Sequence, residues 1–396
     1  MTPVHFTLLD GQGALTDYRQ PDVAPLTRPA VRFSSRIAFA AAHVVPLAYA
    51  DNTPGQPAQI DWEATLGFRR HLWSWGLGVA DAMDTAQRNM GLDAAATREL
   101  IARSAAEAKS ESGFDDLADA VVVGVNTDHV DETDISLDQV IAAYSEQLEF
   151  SQQHGVGIVL MASRHLARSA DSAEDYVRVY DRLLTQAERP VVLHWLGEAF
   201  DPQLAGYFGS TDIAEASRTV LQIVGEHPDK VRGIKMSLLD ADAEVAVRAQ
   251  LPDGVRLFTG DDFNYVGLIE GDREHYSDAL LGAFAAVAPN AAAAVAALDV
   301  DDHDRYRSIL GPTEALSRQI FAAPTFYYKT GVAFMSWLNG HQPSPAMVGG
   351  LHSARSLPHL SEIVRLAAEA NALTDPDLAA ARWHGLLALN GIEVKR

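Results

Sequence analysis

Short apolar runs alternate with amphipathic segments along most of the chain. The first run, at 36–45, is continuously apolar and ends at Pro46, which suits a strand buried on both faces. The segment at 61–76 has apolar residues at helical spacing, with an Asp at its start and a Gly at its end. These features are typical of a helix. The pattern therefore predicts one strand–helix unit in this stretch.

The same alternation continues to about residue 300. Further strands are predicted at 77–83, 119–126, 155–163, 190–195, 231–237, 254–260 and 281–289, the last being either a strand or a buried apolar run. Helices are predicted at 93–109, 136–154, 172–187, 212–226, 240–249, 263–270 and 290–299. Eight such units in order predict a parallel sheet that closes into a (β/α)₈ barrel. A doubly wound open sheet is the alternative, but no G-x-G-x-x-G follows a predicted strand, and no Walker A motif is present.

Segments at both ends lie outside this alternation. Residues 1–30 suggest a short strand, a Gly-containing turn and a second strand, and are predicted to be an N-terminal β extension. Residues 31–300 form the predicted barrel. Residues 301–396 have helical spacing throughout and form a predicted C-terminal helical region. This region is expected to pack beside the barrel, to form an oligomer interface, or both.

Composition narrows the possible classes of protein. The 396 residues, 47% hydrophobic and 21% charged, fit one barrel with extra helices. The absence of cysteine excludes disulfides, Cys-ligated zinc, iron–sulfur clusters and thiol nucleophiles. A net charge of −22 argues against a nucleic-acid partner. Neither a membrane-spanning segment nor a signal peptide is apparent, so we expect a cytoplasmic protein without membrane association.

Polar residues cluster where the predicted strands end. Active sites of (β/α)₈ barrels lie at the carboxyl ends of the strands, so these residues are the candidates for chemistry. They are His43, Asp84, Thr85, Asn126, Asp128, Ser163, Arg164, His194, Lys235, Ser237, Asp261 and Asp262.

Lys235 differs from the other candidates because it lies inside an apolar strand, GIKMS. Burial disfavours the ammonium form and lowers the pKa, which leaves a free amine able to attack a carbonyl carbon. The competing interpretation is a structural ion pair with Asp261 or Asp262. The chain has only five lysines: Lys109, Lys230, Lys235, Lys329 and Lys395. Lys329, in FYYKTGVAF, is predicted to be a helix residue whose ammonium reaches water along the protein surface.

The segment VRGIKMS (231–237) resembles the sixth strand of the dihydrodipicolinate synthase / N-acetylneuraminate lyase superfamily. The resemblance includes PVVLHWLGEAF (190–200), FTGDDFN (258–264) and DAMDTAQRNMGLD (81–93), and it covers roughly 36–300. It implies a (β/α)₈ barrel in which the lysine at the end of the sixth strand, here Lys235, forms a Schiff base with the substrate.

The chain departs from this superfamily at most other site positions. The proton-relaying tyrosine of strand five is replaced by His194, and the carboxylate-binding arginine falls at Ala199. The Thr-Thr pair becomes Thr85-Ala86, flanked by Asp84 and Gln87, and the strand-four tyrosines fall near Ser163 and Arg164. The resemblance therefore does not imply a true dihydrodipicolinate synthase.

We expect a class I lyase or aldolase-like enzyme acting on a small carbonyl compound, either a keto acid or an oxidised sugar derivative. Lys235 would attack the carbonyl, and His194 would transfer the proton. With many carboxylates and Arg164 as the only evident anion-binding group, a sugar-like substrate is favoured. We expect no cofactor, and we expect the protein to form a homodimer or a homotetramer. The predicted substrate-binding residues are Asp84, Thr85, Asn126, Arg164, Asp261 and Asp262.

Two other functions remain open at this point. One is a divalent-metal-dependent barrel isomerase or hydrolase, since imidazole and carboxylate groups from separate strands can converge as ligands. The other is a non-catalytic barrel in which Lys235 has lost its role. The metal ligands would be His43, Asp84, His194, Asp261 and Asp262.

Overall fold

A computed structural model describes residues 4–272 and 274–394. Two short strands, β1 (His5–Leu9) and β2 (Leu15–Arg19), pair in antiparallel register before the main domain begins. The predicted N-terminal β extension is therefore a hairpin.

Eight parallel strands follow and close into a barrel, with the last strand hydrogen-bonded to the first. This arrangement confirms the predicted (β/α)₈ fold. The strands are β3 (Ala38–Ala41), β4 (Gly78–Asp81), β5 (Val121–Val125), β6 (Gly157–Leu160), β7 (Val191–Leu196), β8 (Val231–Ser237), β9 (Arg256–Thr259) and β10 (Asp278–Leu281).

Helices surround the barrel and form the C-terminal region. Those of the barrel are α1 (Trp62–Ser74), α2 (Ala94–Glu111), α3 (Leu117–Ala120), α4 (Leu137–Gln153), α5 (Arg164–Ser169), α6 (Ala173–Gln186), α7 (Ile213–Glu226), α8 (Ala241–Arg248), α9 (Tyr265–Glu270), α10 (Ala283–Ala286) and α11 (Ala288–Leu298). Those of the C-terminal region are α12 (His303–Ile320), α13 (Tyr328–Leu338), α14 (Leu357–Glu369) and α15 (Pro376–Leu389). Ser136 caps α4 as predicted, accepting a hydrogen bond from the Gln139 N–H.

Of the two interpretations given for 281–289, the buried apolar run is correct and the strand is not. The eighth strand spans Asp278–Leu281. The apolar run at 281–289 contains the last residue of this strand, all of α10 and the start of α11. The strand starts with a buried acid, Asp278, whose carboxylate accepts from the Ile37 N–H and pairs with Arg256. The helices that follow are buried on all sides, so they lack the amphipathic pattern that distinguishes a helix from a strand.

Apolar side chains fill the barrel interior, so the barrel is a packed core with no pore. The interior is also tight: a Cβ at Gly233 would lie 2.5 Å from the Arg256 carbonyl oxygen and 2.8 Å from the Phe258 ring. Chemistry is therefore confined to the strand ends. The interior cluster comprises Phe39, Ala41, Ala80, Met83, Val122, Val159, Met161, Val192, Phe258 and Leu280.

The two chain ends pack against each other. In the hairpin, Phe6 is fully buried, and β1 contacts α14 and α15. The Trp383 indole N–H donates to the Thr7 carbonyl at 2.7 Å, and the Leu9 N–H donates to Ser361 Oγ at 2.7 Å. The extension is thus part of the packing of the C-terminal region. In the described part of the chain, no helix is both long enough and apolar enough to cross a bilayer.

Candidate active site

Lys235 lies inside the barrel, near the carboxyl end of β8. It is directly opposite His194 of β7 in the strand register, and only 8% of its surface is exposed. A Cβ at Gly260 would lie 2.9 Å from Lys235 Cε and 2.2 Å from Ser237 Oγ. The lysine stem therefore passes over the one residue type that leaves room for it, with a hydroxyl beside it.

The Lys235 amine is buried without a paired acid. None of the ion pairs found among the described residues includes it, so the predicted structural pair with Asp261 or Asp262 does not form. Burial lowers the pKa of Lys235, and the charges of Asp84 and Asp262 partly oppose this effect. The free-amine form is therefore favoured relative to a lysine in water.

The two neighbouring aspartates after β9 have separate roles. Asp261 holds its own turn, accepting hydrogen bonds from the Phe263 N–H and the Asn264 side-chain amide. Asp262 is directed to the start of α10, where it accepts from the Ala283 N–H at 2.8 Å. Burial raises the pKa of Asp262 to about 7, although the Ala283 N–H and the Lys235 charge both lower it. Of these two aspartates, Asp262 is the one whose charge acts on Lys235.

His194, beside Lys235 on the neighbouring strand, is fully buried. Its Nδ1 is 3.2 Å from the Met161 sulfur, and its Nε2 is 3.2 Å from Ser237 Oγ. A thioether only accepts, so Nδ1 holds the proton and Nε2 accepts from Ser237. Burial, and then the charges of Lys235 and Arg88, place the pKa of His194 well below its usual 6.5. The imidazole is therefore neutral, and its nearest hydroxyl partner is Ser237.

Arg88, which the sequence did not single out, extends across the mouth from the turn after β4. Its Nε and Nη2 donate to Asp128 at 2.5 and 3.1 Å, and Nη2 also donates to the Ala162 carbonyl. The side chain is only 4% exposed, and Nη1 lies 3.6 Å from Asp84. Nη1 has no hydrogen-bond partner among the described residues. Arg88 is thus a buried cation with one unused donor group.

Tyr328, at the start of α13, brings a second hydroxyl to the mouth. Its oxygen is 2.8 Å from Thr85 Oγ1, and its ring stacks on Phe321 at 4.3 Å. Burial and the nearby Asp84 and Asp262 place the pKa of Tyr328 well above its usual 10.0. The hydroxyl therefore stays protonated and lies within the field of both acids nearest to Lys235.

Lys329, the next residue, was predicted to reach the solvent, but it is buried. It is 2% exposed, and its Nζ lies 4.3 Å from the centre of the Phe326 ring. Burial lowers the pKa of Lys329 to about 8; the charges of Asp84 and Asp201 raise it, and those of Arg88 and Arg164 lower it. The snorkelling prediction failed because α13 packs over the barrel and is buried along its whole length.

Arg164 and Asn126, two of the predicted substrate-binding residues, both bond to neighbouring protein groups. The Arg164 Nε donates to Asp201 at 2.7 Å. The Asn126 side chain accepts from the Asp128 N–H at 3.0 Å. Asn126, Arg88 and Asp128 line a side cavity of about 250 Å³. Asn126 therefore lines the same cavity as the Arg88–Asp128 pair, whereas Arg164 is paired with Asp201.

The predicted metal-binding set does not assemble. His43 Nε2 lies 2.8 Å from Gln342 Oε1 and its ring contacts Phe68 of α1. Burial and the Arg69 charge lower the pKa of His43 to about 3. Across residues 4–272 and 274–394, no three His, Asp or Glu side chains are placed to hold a metal ion. The other predicted ligands, Asp84, His194, Asp261 and Asp262, each have the separate partners described above.

The residues that sequence reasoning missed share a cause. Arg88, Tyr328 and Lys329 follow no predicted strand end directly, and Tyr328 and Lys329 come from the region interpreted as an extension. A signal did exist for Lys329, because it lies in an apolar stretch, as Lys235 does.

The fold and the site together define a (β/α)₈ barrel protein with a buried lysine near the carboxyl end of a strand, a lysine that has no ion-pair partner within the described part of the chain. Residues 6–392 match the family described as "Protein of unknown function (DUF993)", and the chain belongs to that family. None of the curated proteins compared with the chain is a significant match.

Solved structures with a similar fold include three synthases. The chain resembles dihydrodipicolinate synthase from Bacteroides thetaiotaomicron with 16% identity and a TM-score of 0.62, over 86% of this chain and 100% of that one. Dihydrodipicolinate synthase from Aquifex aeolicus is 11% identical with a TM-score of 0.61, over 85% of this chain and 99% of that one. 4-Hydroxy-tetrahydrodipicolinate synthase from Methylacidiphilum fumariolicum SolV is 15% identical with a TM-score of 0.59, over 85% of this chain and 99% of that one. At these identities the likeness confirms the predicted resemblance as one of fold.

Proposed function

We propose that this protein is a Schiff-base-forming lyase or aldolase-like enzyme acting on a small carbonyl compound, with Lys235 as the nucleophile. One observation supports this more than any other. The Lys235 amine lies inside the barrel at the strand ends, almost fully buried, with no ion-pair partner among the described residues. A lysine kept there for structure alone would be expected to pair with an acid.

The reaction follows from the chemistry of a free amine. The Lys235 nitrogen adds to the carbonyl carbon, and loss of water gives a protonated Schiff base. The iminium then accepts the electron pair of a breaking C–C or C–H bond on the neighbouring carbon, which gives an enamine. In the reverse direction the enamine attacks a second carbonyl compound.

Proton transfer in this reaction is assigned to the hydroxyl pair of Tyr328 and Thr85. Their oxygens are 2.8 Å apart, and both acids in the field of Lys235 also act on Tyr328. His194, with both ring nitrogens in contact with protein atoms, orients Ser237 and does not reach the substrate itself. Asp262, with its pKa raised to about 7, is the group that exchanges a proton with the Lys235 amine.

Borohydride trapping tests this proposal. Borohydride reduces a protonated Schiff base to a stable secondary amine, so incubation with keto acids and keto sugars should leave an adduct on Lys235. Peptide mapping by mass spectrometry locates it. The Lys235→Met variant keeps the length of the side chain and should give no adduct, whereas Lys109→Met, which removes an exposed lysine, should react like the wild type.

Two results would contradict the proposal. One is the absence of an adduct across the whole panel of carbonyl compounds. The other is an adduct that persists in Lys235→Met, because it would place the reactive amine elsewhere; mapping of the modified peptide would then show whether Lys329 is that amine.

A further inference from the structure

We infer that Arg88 and Lys329 form an anion-binding subsite at the barrel mouth, which takes the carboxylate or phosphoryl group of the substrate. This inference rests on the proposed function and narrows its substrate class. The substrate would be an acidic ketone or aldehyde, and the neutral sugar-like compound that the sequence favoured would bind poorly.

The first support is the environment of Lys329. Its Nζ makes one long contact, 3.4 Å to the Phe326 carbonyl oxygen, and otherwise faces the Phe326 and Tyr328 rings at 4.3 and 5.1 Å. None of the ion pairs found among the described residues includes it. A buried ammonium without an anionic partner is unfavourable, and a bound anion would remove that cost.

The second support is independent and comes from the opposite side of the mouth. Arg88 uses Nε and Nη2 on Asp128 and the Ala162 carbonyl, but its buried Nη1 has no hydrogen-bond acceptor among the described residues. Asp84, 3.6 Å from Nη1, is beyond hydrogen-bond distance. A guanidinium held rigidly on one side by a carboxylate presents its remaining N–H groups in a fixed direction, which suits the recognition of a planar or tetrahedral anion.

The two cations belong to segments that touch at the mouth, since the hydroxyl of Tyr328, the residue before Lys329, lies 2.8 Å from Thr85 Oγ1 in the turn that carries Arg88. The Arg88 charge is one of the influences that lower the pKa of Lys329, so each raises the electrostatic energy of the other. Arg88 and Arg164 each pair with an aspartate, Asp128 and Asp201, so Lys329 is the one of these three cations without an anionic partner among the described residues. An anion between Arg88 and Lys329 would accept a hydrogen bond from Arg88 Nη1 and give Lys329 Nζ an anionic partner.

This subsite belongs to the same mouth as the reactive amine. Asp84 lies in the electrostatic field of both Lys235 and Lys329, and it also faces Arg88. Tyr328, whose hydroxyl is hydrogen-bonded to Thr85, directly precedes Lys329 in the sequence. A compound with an acidic group a few bonds from its carbonyl carbon would therefore contact both the subsite and Lys235.

Three small ketones separate the possible ligands. Pyruvate offers a carboxylate, dihydroxyacetone phosphate offers a phosphoryl group, and hydroxyacetone is nearly isosteric with pyruvate but uncharged. The concentration of each that gives half-maximal borohydride trapping on Lys235 would be measured. In the wild type, at least one acidic ketone should reach half-saturation at a concentration roughly tenfold or more below that of hydroxyacetone.

Substitution of Lys329 makes the test specific. Lys329→Met should raise the half-saturating concentration of the preferred acidic ketone about tenfold and leave that of hydroxyacetone nearly unchanged. Lys329→Gln is the second variant, in case the first fails to fold, and Lys109→Met is the control for loss of a lysine. Equal responses of all three ketones, or an unchanged preference in both Lys329 variants, would overturn the subsite and leave Lys235 chemistry intact.

Calorimetric titration of Lys235→Met separates this inference from the proposed function, because that variant cannot form a Schiff base. Pyruvate or dihydroxyacetone phosphate should still bind it, and binding should be lost in Lys235→Met/Lys329→Met. If Lys329-dependent binding occurs but the wild type gives no adduct, the subsite is supported and the lyase proposal is wrong. If no anion binds Lys235→Met, the subsite is overturned.

Discussion

Lys235 and Lys329 are two buried lysines whose charge costs the folded protein stability. Each loses the hydration of its ammonium group, and the structure shows no ion pair for either among the described residues. Removal of such a group should therefore stabilise the fold. The effect can be separated from packing through its pH dependence, because only the titrating group changes with pH.

Lys329→Met is expected to be more stable than the wild type at neutral pH. The pKa of Lys329 is about 8 in the folded protein and 10.5 ordinarily, so the unfolded state binds more protons between these values. The free energy of unfolding of the wild type therefore rises relative to the variant across this window. The difference should be up to about 3 kcal/mol near pH 7 and should shrink toward pH 10.

Urea unfolding of both proteins at about pH 7, 8.5 and 10 measures this difference. A Lys329→Met protein that is less stable than the wild type at neutral pH would mean that the ammonium has a structural partner. Lys109→Met serves as the matched control, because Lys109 is exposed and its substitution should change stability little at any of these pH values.

At the scale of elements, the site depends on contacts between segments that are distant in sequence. The turn after β4, which includes Arg88, is held to the C-terminal region by Gln87. The Gln87 amide donates to the Val348 carbonyl at 2.8 Å and accepts from the Val348 N–H at 3.0 Å. Gln87 adopts a left-handed conformation with φ 66°, so the turn accepts some strain to make these two bonds.

A buried ion pair fixes α1 to β4 on the outer side of the barrel. Arg69 donates to both carboxylate oxygens of Asp81, at 3.0 and 2.7 Å, and to the His43 carbonyl. Ser104 also donates to Asp81. Both charged side chains are fully buried, and each is compensated by the charge of the other. Loss of one partner would therefore leave an uncompensated charge in the core.

Arg69→Met should therefore lower the free energy of unfolding by about 3–5 kcal/mol. The exposed pair Arg103–Glu99 is the matched control, and Arg103→Met should cost less than about 1 kcal/mol. Chemical denaturation of the two variants gives the comparison. Similar small losses in both would show that the buried pair contributes no more than a surface pair.

At the scale of the whole molecule, the N-terminal hairpin and the C-terminal helices pack against each other beside the barrel. The hairpin packs on α14 and α15, and α13 covers the mouth and brings Tyr328 and Lys329 to it. Loss of contacts in the hairpin should therefore weaken the C-terminal region and not only the first residues. The predicted dimer or tetramer and the predicted cytoplasmic location stay predictions.

Phe6→Ala tests this coupling. The Phe6 side chain is fully buried, so its truncation should cost about 3–5 kcal/mol. It should also change the fluorescence of Trp383, whose indole is hydrogen-bonded to Thr7. Leu15→Ala on β2, where Leu15 is 43% exposed, should affect neither. An unchanged Trp383 signal in Phe6→Ala would show that the hairpin is not coupled to α15.

The order of strands and helices was predictable from the sequence because each element repeats its hydrophobic pattern over a few neighbouring residues. Elements that are buried on all sides lose that pattern, which is why the eighth strand was displaced from Asp278–Leu281 to the apolar stretch that forms α10 and α11. Lys235 was also predictable, since a lysine within an apolar strand is conspicuous without any knowledge of its neighbours.

The sequence by itself thus determined the barrel and the buried position of Lys235 at a strand end, because both depend on local spacing. The tertiary structure alone decided which groups surround that residue. Tyr328 and Lys329 reach the mouth because α13 folds back over the barrel, whereas Arg88 comes from the turn after β4. Among the described residues neither Lys235 nor Lys329 has an ion-pair partner, and this depends on where the nearby acids lie. Charge, burial and pairing arise from contacts between distant segments, and spacing along the chain does not encode them.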